Sequence, residues 1–467
     1  MAEPLWTSEA IVQATGGRLA GPGFDVRGVS IDTRTLEPGD LFVALAGERD
    51  GHAFVAQALA AGAAGVLASR PVEAPAVIVE DTLKALERLG LAARARATKA
   101  RRGAVTGSVG KTSVTQAVAA GLALAGPAHA SVKSYNNHIG VPLSLARMPR
   151  ATERAVFEVG MNHAGEIEPL SKMIAPHVAA ITTVGAVHTE NFPDGEAGVA
   201  RAKAEIFAGL LPGGTAILNA DNIWFDGLRA AATAAGARVI SFGEAAGADA
   251  RLTGFSLTAA GARIEARLGG EAISFPIRQS GFHWGLNSLA VLLMLEALGV
   301  GRETALAALA DFAPIEGRGV ERSIAIPGGA FVLIDDSYNA NPISLAAALR
   351  TLGARPAKGR RIVALTDMLE LGADAAKRHA DIAREVEAAG VDLVYCAGPL
   401  MAALWEALPP TRRGGYADSA EGLAPVLARA VSPGDVVLVK GSKGSRASLV
   451  AAALGDASAL AAGGEAH

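Results

Sequence analysis

The 467-residue chain has one cysteine, Cys396. A single thiol excludes an internal disulfide framework and a multi-thiolate metal site, and it fits a reducing cytosol. An excess of either charge is also missing: 43 Lys and Arg stand against 46 Asp and Glu, a net charge of −3, with no basic stripe. That balance argues against a mainly electrostatic grip on nucleic acid. Long apolar runs are absent too. Windows such as "SLAVLLMLEALGV" are too short and too interrupted by Ala and Gly to cross a bilayer. The opening "MAEPLWTSEAIVQATGG" has no basic n-region and no apolar h-region, so no secretory leader and no membrane insertion are expected. What is left, 50% hydrophobic and 19% charged residues, describes a soluble, cytoplasmic, globular protein. At this length two to four domains are expected.

Three blocks separate along the chain. The first, residues 1–85, opens with a helix at "SEAIVQAT" that Gly16 and Gly17 stop. Strands follow in "FDVRGVSIDTRTLEPGDLFVALAG" around a Pro-Gly turn, then a helix in "HAFVAQALAAGA" and a strand in "GVLAS". The second block, 86–314, alternates the strands "GAVT", "RAVFEVG", "VAAITTVG", "TAILNAD" and "RVISFG" with helical segments. That alternation predicts a largely parallel sheet covered on both faces. An antiparallel patch in "ARLTGFSLTAAGARIEARLGGEAISFPI" and a long helix in "NSLAVLLMLEALGV" complete it. The third block, 315–467, alternates again through "AFVLIDDS", "RRIVALTD", "DLVYCAG" and "DVVLVKG", a second, smaller α/β unit. The fold class is therefore α/β in three domains.

"GAVTGSVGKTSVTQAVAAGLALAG" carries the clearest chemical signal. An apolar strand runs into a glycine turn and then a helix opening near Lys111 and Thr112. Backbone N–H groups at a helix N-terminus favour an anion, through unpaired donors and the macrodipole. Gly107 and Gly110 let the backbone wrap closely, Ser108, Val109 and Ser113 supply further loop amides, Lys111 reaches β/γ-phosphates, and the Thr112 hydroxyl suits Mg²⁺. The common loop has a glycine at the place of Val105; here the first glycine is Gly107, a shortened form less typical of GTPases and motor ATPases. The loop suits the phosphates of a nucleotide.

Other polar residues sit where such folds bind ligands. Glu158 ends the strand in "AVFEVG" and suits Mg²⁺ on the phosphates; alone it reads equally as a solvated strand-end charge. His188 in "TTVGAVHTENF" follows the next strand in the same way, although a lone histidine is more often structural. Lys203 in "VARAKAEIFAGLL" reads, from spacing alone, as a solvated charge on a helix. Asp335, Asp336 and Asn339 in "VLIDDSYNANP" suit a ribose or a metal, with turn and cap chemistry as the alternative. Arg318 lies near the block boundary, where it could reach across a cleft to phosphate. A switch or assembly ATPase remains an alternative class on these residues alone.

Taken in order, "SIDTRTLEPGDLFVAL", "DGHAFV", "TGSVGKTSV", "SYNNHIGVPLSL", "FEVGMNHAGEI", "DDSYNANP", "DMLELG" and "VLVKGSKGSR" resemble the Mur ligases, ATP-dependent amide-forming enzymes of bacterial cell-wall precursor synthesis. The resemblance covers nearly the whole chain. It implies an N-terminal UDP-sugar domain, a central P-loop ATPase domain and a Rossmann-like C-terminal domain that closes over the nucleotide. It implies UDP-N-acetylmuramoyl-tripeptide and D-alanyl-D-alanine as substrates of a monomeric enzyme, and two Mg²⁺ ions. By motif position, Thr112 and Glu158 would bind one ion, and Glu158, His188 and a carbamylated Lys203 the other. Asn287 would face the adenine and Asp336 the ribose. Ser30, Thr33, Arg34, Asn136 and Asn137 would hold the UDP-sugar peptide. One departure is visible: the family commonly reads His-Asn where this chain has His283-Trp284.

Overall fold

The computed structural model describes residues 3–47, 49–132, 134–187 and 189–456. The first helix, Ser8–Thr15, begins where Thr7 accepts a hydrogen bond from the Ala10 amide (3.2 Å) and ends at Gly16, whose φ of 73° places it in the left-handed cap conformation. It packs beside a five-stranded sheet ordered Arg18–Ala20, Ala76–Ile78, Gly65–Ala68, Asp40–Val43, Gly28–Ser30. Only the first of these strands runs antiparallel to its neighbour.

The helix Thr82–Arg96 follows, so a boundary after residue 85 falls inside its first turns. Its buried face, Ala85, Leu86, Leu89 and Ala93, shares one hydrophobic cluster with the N-terminal sheet and with Leu143 and Ala146 of the helix Gly140–Ala146. Trp6 seals the join: its indole N–H donates to the Ala146 carbonyl (2.9 Å), and the Arg96 guanidinium lies 3.5 Å above its ring.

The central sheet has nine strands. The parallel part runs Ala128–Ala130, Arg154–Glu158, Arg101–Thr106, Val178–Ile181, Thr215–Asn219, Arg238–Gly243 and then Ala250–Thr258. Two antiparallel strands, Gly261–Leu268 and Glu271–Ile277, extend it as a meander. Arg101–Thr106 sits between strands reached in opposite directions along the sheet, a topological switch point whose carboxyl end is the usual ligand position. Its last four residues, Gly103 to Thr106, are buried, as a strand covered on both faces requires. The helices Lys111–Leu124 and Trp284–Ala297 pack on one face, and Gly121 allows this, because a Cβ there would lie 2.5 Å from Leu295.

The C-terminal sheet is ordered Val320–Ile326, Gly329–Asp336, Val436–Lys440, Arg361–Thr366, Leu393–Ala397, Arg413–Ala417, parallel except for the first hairpin. Its two cores contain only residues from Ile324 onward. Among the described residues no helix is long and apolar enough to cross a membrane.

Candidate active site

The carboxyl edges of the central and C-terminal sheets face each other across a cavity of about 570 Å³. On the central side the chain leaves the strand Arg101–Thr106 at Gly107. With φ at 152°, and with Thr182 Oγ1 only 1.9 Å from where a Cβ would stand, this position admits glycine alone. Thr182 Oγ1 donates to the Val109 carbonyl, and Ser108 Oγ donates to the Gly185 carbonyl (3.0 Å), so the turn is fixed from the neighbouring strand's end. Gly110 (φ 86°) caps the helix Lys111–Leu124 with no side-chain partner, leaving the first amides of that helix available to an anion.

Lys111 Nζ donates to the Gly107 carbonyl (2.7 Å). Burial pushes its ammonium below the ordinary lysine value, Glu158 opposes that shift, and Arg318 across the cavity adds to it. Glu158 is 1% exposed. Its Oε1 accepts from Asn136 Nδ2 at 2.6 Å, and its Oε2 is buried with no hydrogen-bond partner. An orphaned carboxylate oxygen and a buried Thr112 hydroxyl lining the same cavity fit a hard divalent cation, which prefers oxygen donors. No cluster of three acidic, histidine or cysteine ligands occurs among the described residues, and His188 lies outside them.

Lys203, in the last turn of the helix Glu196–Ala204, is 2% exposed. The spacing-only reading of a solvated charge is thereby corrected: the helix turns this residue inward. Burial, and then repulsion by Lys111, depress its pKa well below the ordinary lysine value. The amine is thus biased towards its neutral, nucleophilic form.

Asn287 is buried on the helix Trp284–Ala297, with Oδ1 3.1 Å from the Cβ position of Gly110, so it flanks the phosphate loop. Trp284, the departure from the family pattern, is 3% exposed and packs towards Phe312 in the core (ring centroids 5.7 Å apart).

From the C-terminal side, Asp336 reaches the cavity and pairs with the buried Lys440 ammonium at 2.6 Å. Asp335 instead accepts from the Ser337 amide and hydroxyl, the turn chemistry that the sequence offered as its alternative. Arg318 lies 4.1 Å from the Tyr338 ring centroid, and Tyr338 Oη is 2.7 Å from Ser134 Oγ, a direct bond between the two units.

Most of the sequence-derived nucleotide residues therefore line one cavity: Ser108 through Ser113, Glu158, Asn287, Arg318 and Asp336, joined by Asn136. The others do not. Asn137 accepts from the Ile139 and Gly140 amides and starts the helix Gly140–Ala146. Ser30 is fully buried and bonds within its own turn, to the Asp32 amide and carbonyl. Thr33 and Arg34 stay on the N-terminal unit, the Arg34 side chain 83% exposed and paired with Asp32 at 2.5 Å. Sequence reasoning assigned no role to Ser134, Tyr338, Lys440 or Lys443, although all four lie in or beside motifs it quoted; a lysine or serine in a motif carries no sign of which way it points.

Three stretches match family descriptions: the Mur ligase family catalytic domain over residues 25–102, the Mur ligase middle domain over 105–295, and the Mur ligase glutamate ligase domain over 323–443. The chain belongs to the Mur ligase family. Among its relatives, the UDP-N-acetylmuramoyl-tripeptide–D-alanyl-D-alanine ligase of Escherichia coli (strain K12) is 37% identical over 396 residues, 84% of this chain and 86% of the relative. A crystal structure of MurF from Acinetobacter baumannii superimposes with a TM-score of 0.84 at 31% identity, covering 97% of this chain and 99% of that one. The MurF ligase of Thermotoga maritima in complex with ADP gives 0.77 at 25% identity, covering 93% and 97%.

Proposed function

We propose that this chain is an ATP-dependent ligase that joins D-alanyl-D-alanine to UDP-N-acetylmuramoyl-tripeptide, acting as a cytoplasmic monomer in peptidoglycan precursor synthesis. The observation that carries the reading is the shared cavity, in which an anion-binding loop on one unit faces Arg318, Asp336 and Lys443 on the other.

A carboxylate is a poor electrophile, because its charge repels nucleophiles and it has no leaving group. Transfer of the γ-phosphoryl makes it an acyl phosphate; the dipeptide amine attacks the carbonyl carbon, a tetrahedral intermediate forms, and phosphate departs with the acyl–oxygen bonding pair. The loop amides and Lys111 hold the transferring phosphoryl group and stabilise its charge. Arg318, placed over the Tyr338 ring, adds charge from the opposite wall. Asn287 and Asp336 take the adenine and ribose. Thr112 and Glu158 would hold Mg²⁺, with His188 and a carbamylated Lys203 for a second ion; the metal supplies charge neutralisation on the phosphates. A depressed lysine pKa favours carbamylation, since only the neutral amine attacks carbon dioxide. Closing the two units together keeps water from the acyl phosphate. Thr33 and Arg34 on the N-terminal unit, with Asn136 in the cavity, serve the UDP-sugar peptide, while Ser30 and Asn137, engaged in their own turns, only shape the backbone around them.

A substrate-panel assay of phosphate release tests this. Release is expected only with ATP, a UDP-muramoyl tripeptide and D-alanyl-D-alanine together. Turnover with ATP alone points to a switch ATPase, and turnover with a single amino acid in place of the dipeptide points to another ligase of the family.

A further inference from the structure

The strand Arg361–Thr366 ends at the cavity, and Leu369, Glu370 and Leu371 of the following turn form part of its wall. A turn is set by where its backbone groups find partners. Here the partners come from distant elements. Asp367 Oδ1 accepts from the Met401 amide (2.9 Å), the Leu369 amide donates to Ser442 Oγ (2.9 Å), and between them the Met368 amide donates to His379 Nε2 (3.0 Å).

His379 is 0% exposed on the helix Ala375–Ala388. Its Nδ1 lies 2.7 Å from the Ala375 carbonyl, which can only accept. Nδ1 therefore carries the proton and Nε2 is left as an acceptor, the form that the Met368 amide needs. Burial, which pushes the imidazole pKa down, keeps it neutral.

Two residues beyond Met368 the chain is strained. Glu370 has φ at 64°, a left-handed conformation in a residue with a Cβ. Such a conformation persists only where surrounding contacts over-determine it, and it gathers at functional sites. The far side of the turn abuts the central unit: a Cβ on Gly372 (φ 65°) would lie 3.1 Å from Glu190 Cβ. The wall thus meets the Thr189–Asn191 turn, whereas Asn287 flanks Gly110 and Asp336 pairs with Lys440.

We infer that His379 is a positioning residue for ligation: its neutral imidazole fixes Met368 and so holds the Leu369–Leu371 wall against the central unit, where it shapes the place of the dipeptide amine and not that of the nucleotide. This rests on the ligase reading. Steady-state kinetics of the full-length enzyme test it with two variants. His379→Leu removes the acceptor and leaves the Met368 amide unsatisfied; it should raise KM for D-alanyl-D-alanine about tenfold, the scale of one lost buried hydrogen bond, with KM for ATP nearly unchanged. His379→Gln offers a side-chain carbonyl to the same amide and should recover most of the loss. A parallel rise in KM for ATP, or equal behaviour of the Leu and Gln variants, overturns the inference. Amide hydrogen exchange on the wild-type enzyme gives a reading that needs no variant: Met368 should exchange slowly, and fast exchange there overturns the contact. A wild-type enzyme lacking dipeptide-dependent phosphate release overturns the ligase reading and with it the role in ligation, while a protected Met368 would show that the histidine contact itself stands.

Discussion

At the residue scale the site is a crowd of cations around one buried carboxylate. Lys203 repels Lys111, and Glu158 offers an oxygen that nothing in the described protein satisfies. A carbamate on Lys203 would convert one of those cations into an anionic oxygen ligand. Lys203→Ala is therefore expected to be nearly inactive yet folded, and short-chain carboxylic acids should restore part of its activity by filling the vacated space. Near-normal turnover without added acid would falsify the role. Arg34 invites the opposite test, because it stands at the surface, far from any stabilising burial. Arg34→Ala should raise KM for the UDP-sugar peptide well beyond any change in KM for ATP; equal changes would make the N-terminal unit a scaffold only. Residue identity, loop spacing and strand-end position were enough to point to Lys111, Thr112 and Glu158, whereas Asn287 was legible only through the family resemblance. They were not enough for Lys203, because whether a helical lysine faces solvent depends on the packing of its helix, which no local pattern records.

At the scale of elements, most strands were readable because a parallel sheet buries both faces and writes short apolar runs. Val178–Ile181 and Val436–Lys440 are of this kind. Several of the strands that escaped notice lack such runs: Ala128–Ala130 is three residues long, and Arg413–Ala417 carries two glycines and is partly exposed throughout; Ala76–Ile78 is apolar but only three residues long. The phosphate turn was readable through its glycines, but the reason for Gly107 is not local. Thr182, 75 residues on, occupies the space a side chain would need. Gly107→Ala should thus displace the hydroxyl that pins the Val109 carbonyl and strain the backbone as well. Nucleotide affinity measured by calorimetry should fall at least about tenfold, more than 1.4 kcal/mol, with the far-UV circular dichroism spectrum unchanged. Wild-type affinity would mean that the turn tolerates rearrangement.

At the scale of the whole molecule, the contact between Tyr338 and Ser134 joins the two walls of the cavity. Tyr338→Phe keeps the ring beneath Arg318 and deletes only the bond. One hydrogen bond of this kind is worth roughly 1 kcal/mol, so kcat/KM should drop about fivefold. Ser134→Ala should do the same, and the double variant should lose little more than either single one. Additive losses would show that the two hydroxyls act separately.

The join between the first two units has a consequence for how the chain is made. The core of the N-terminal sheet is completed by Leu143 and Ala146, and its tryptophan is tied to the carbonyl of Ala146. On the ribosome, the first hundred residues therefore emerge before the surface they fold upon. They must wait, with Leu86 and Leu89 uncovered, until the phosphate loop and the helix beyond it have followed them out. The last unit, whose cores borrow nothing from earlier residues, has no such delay. Vectorial synthesis should favour folding the nascent head and middle as one body, with the tail closing afterwards as a separate event.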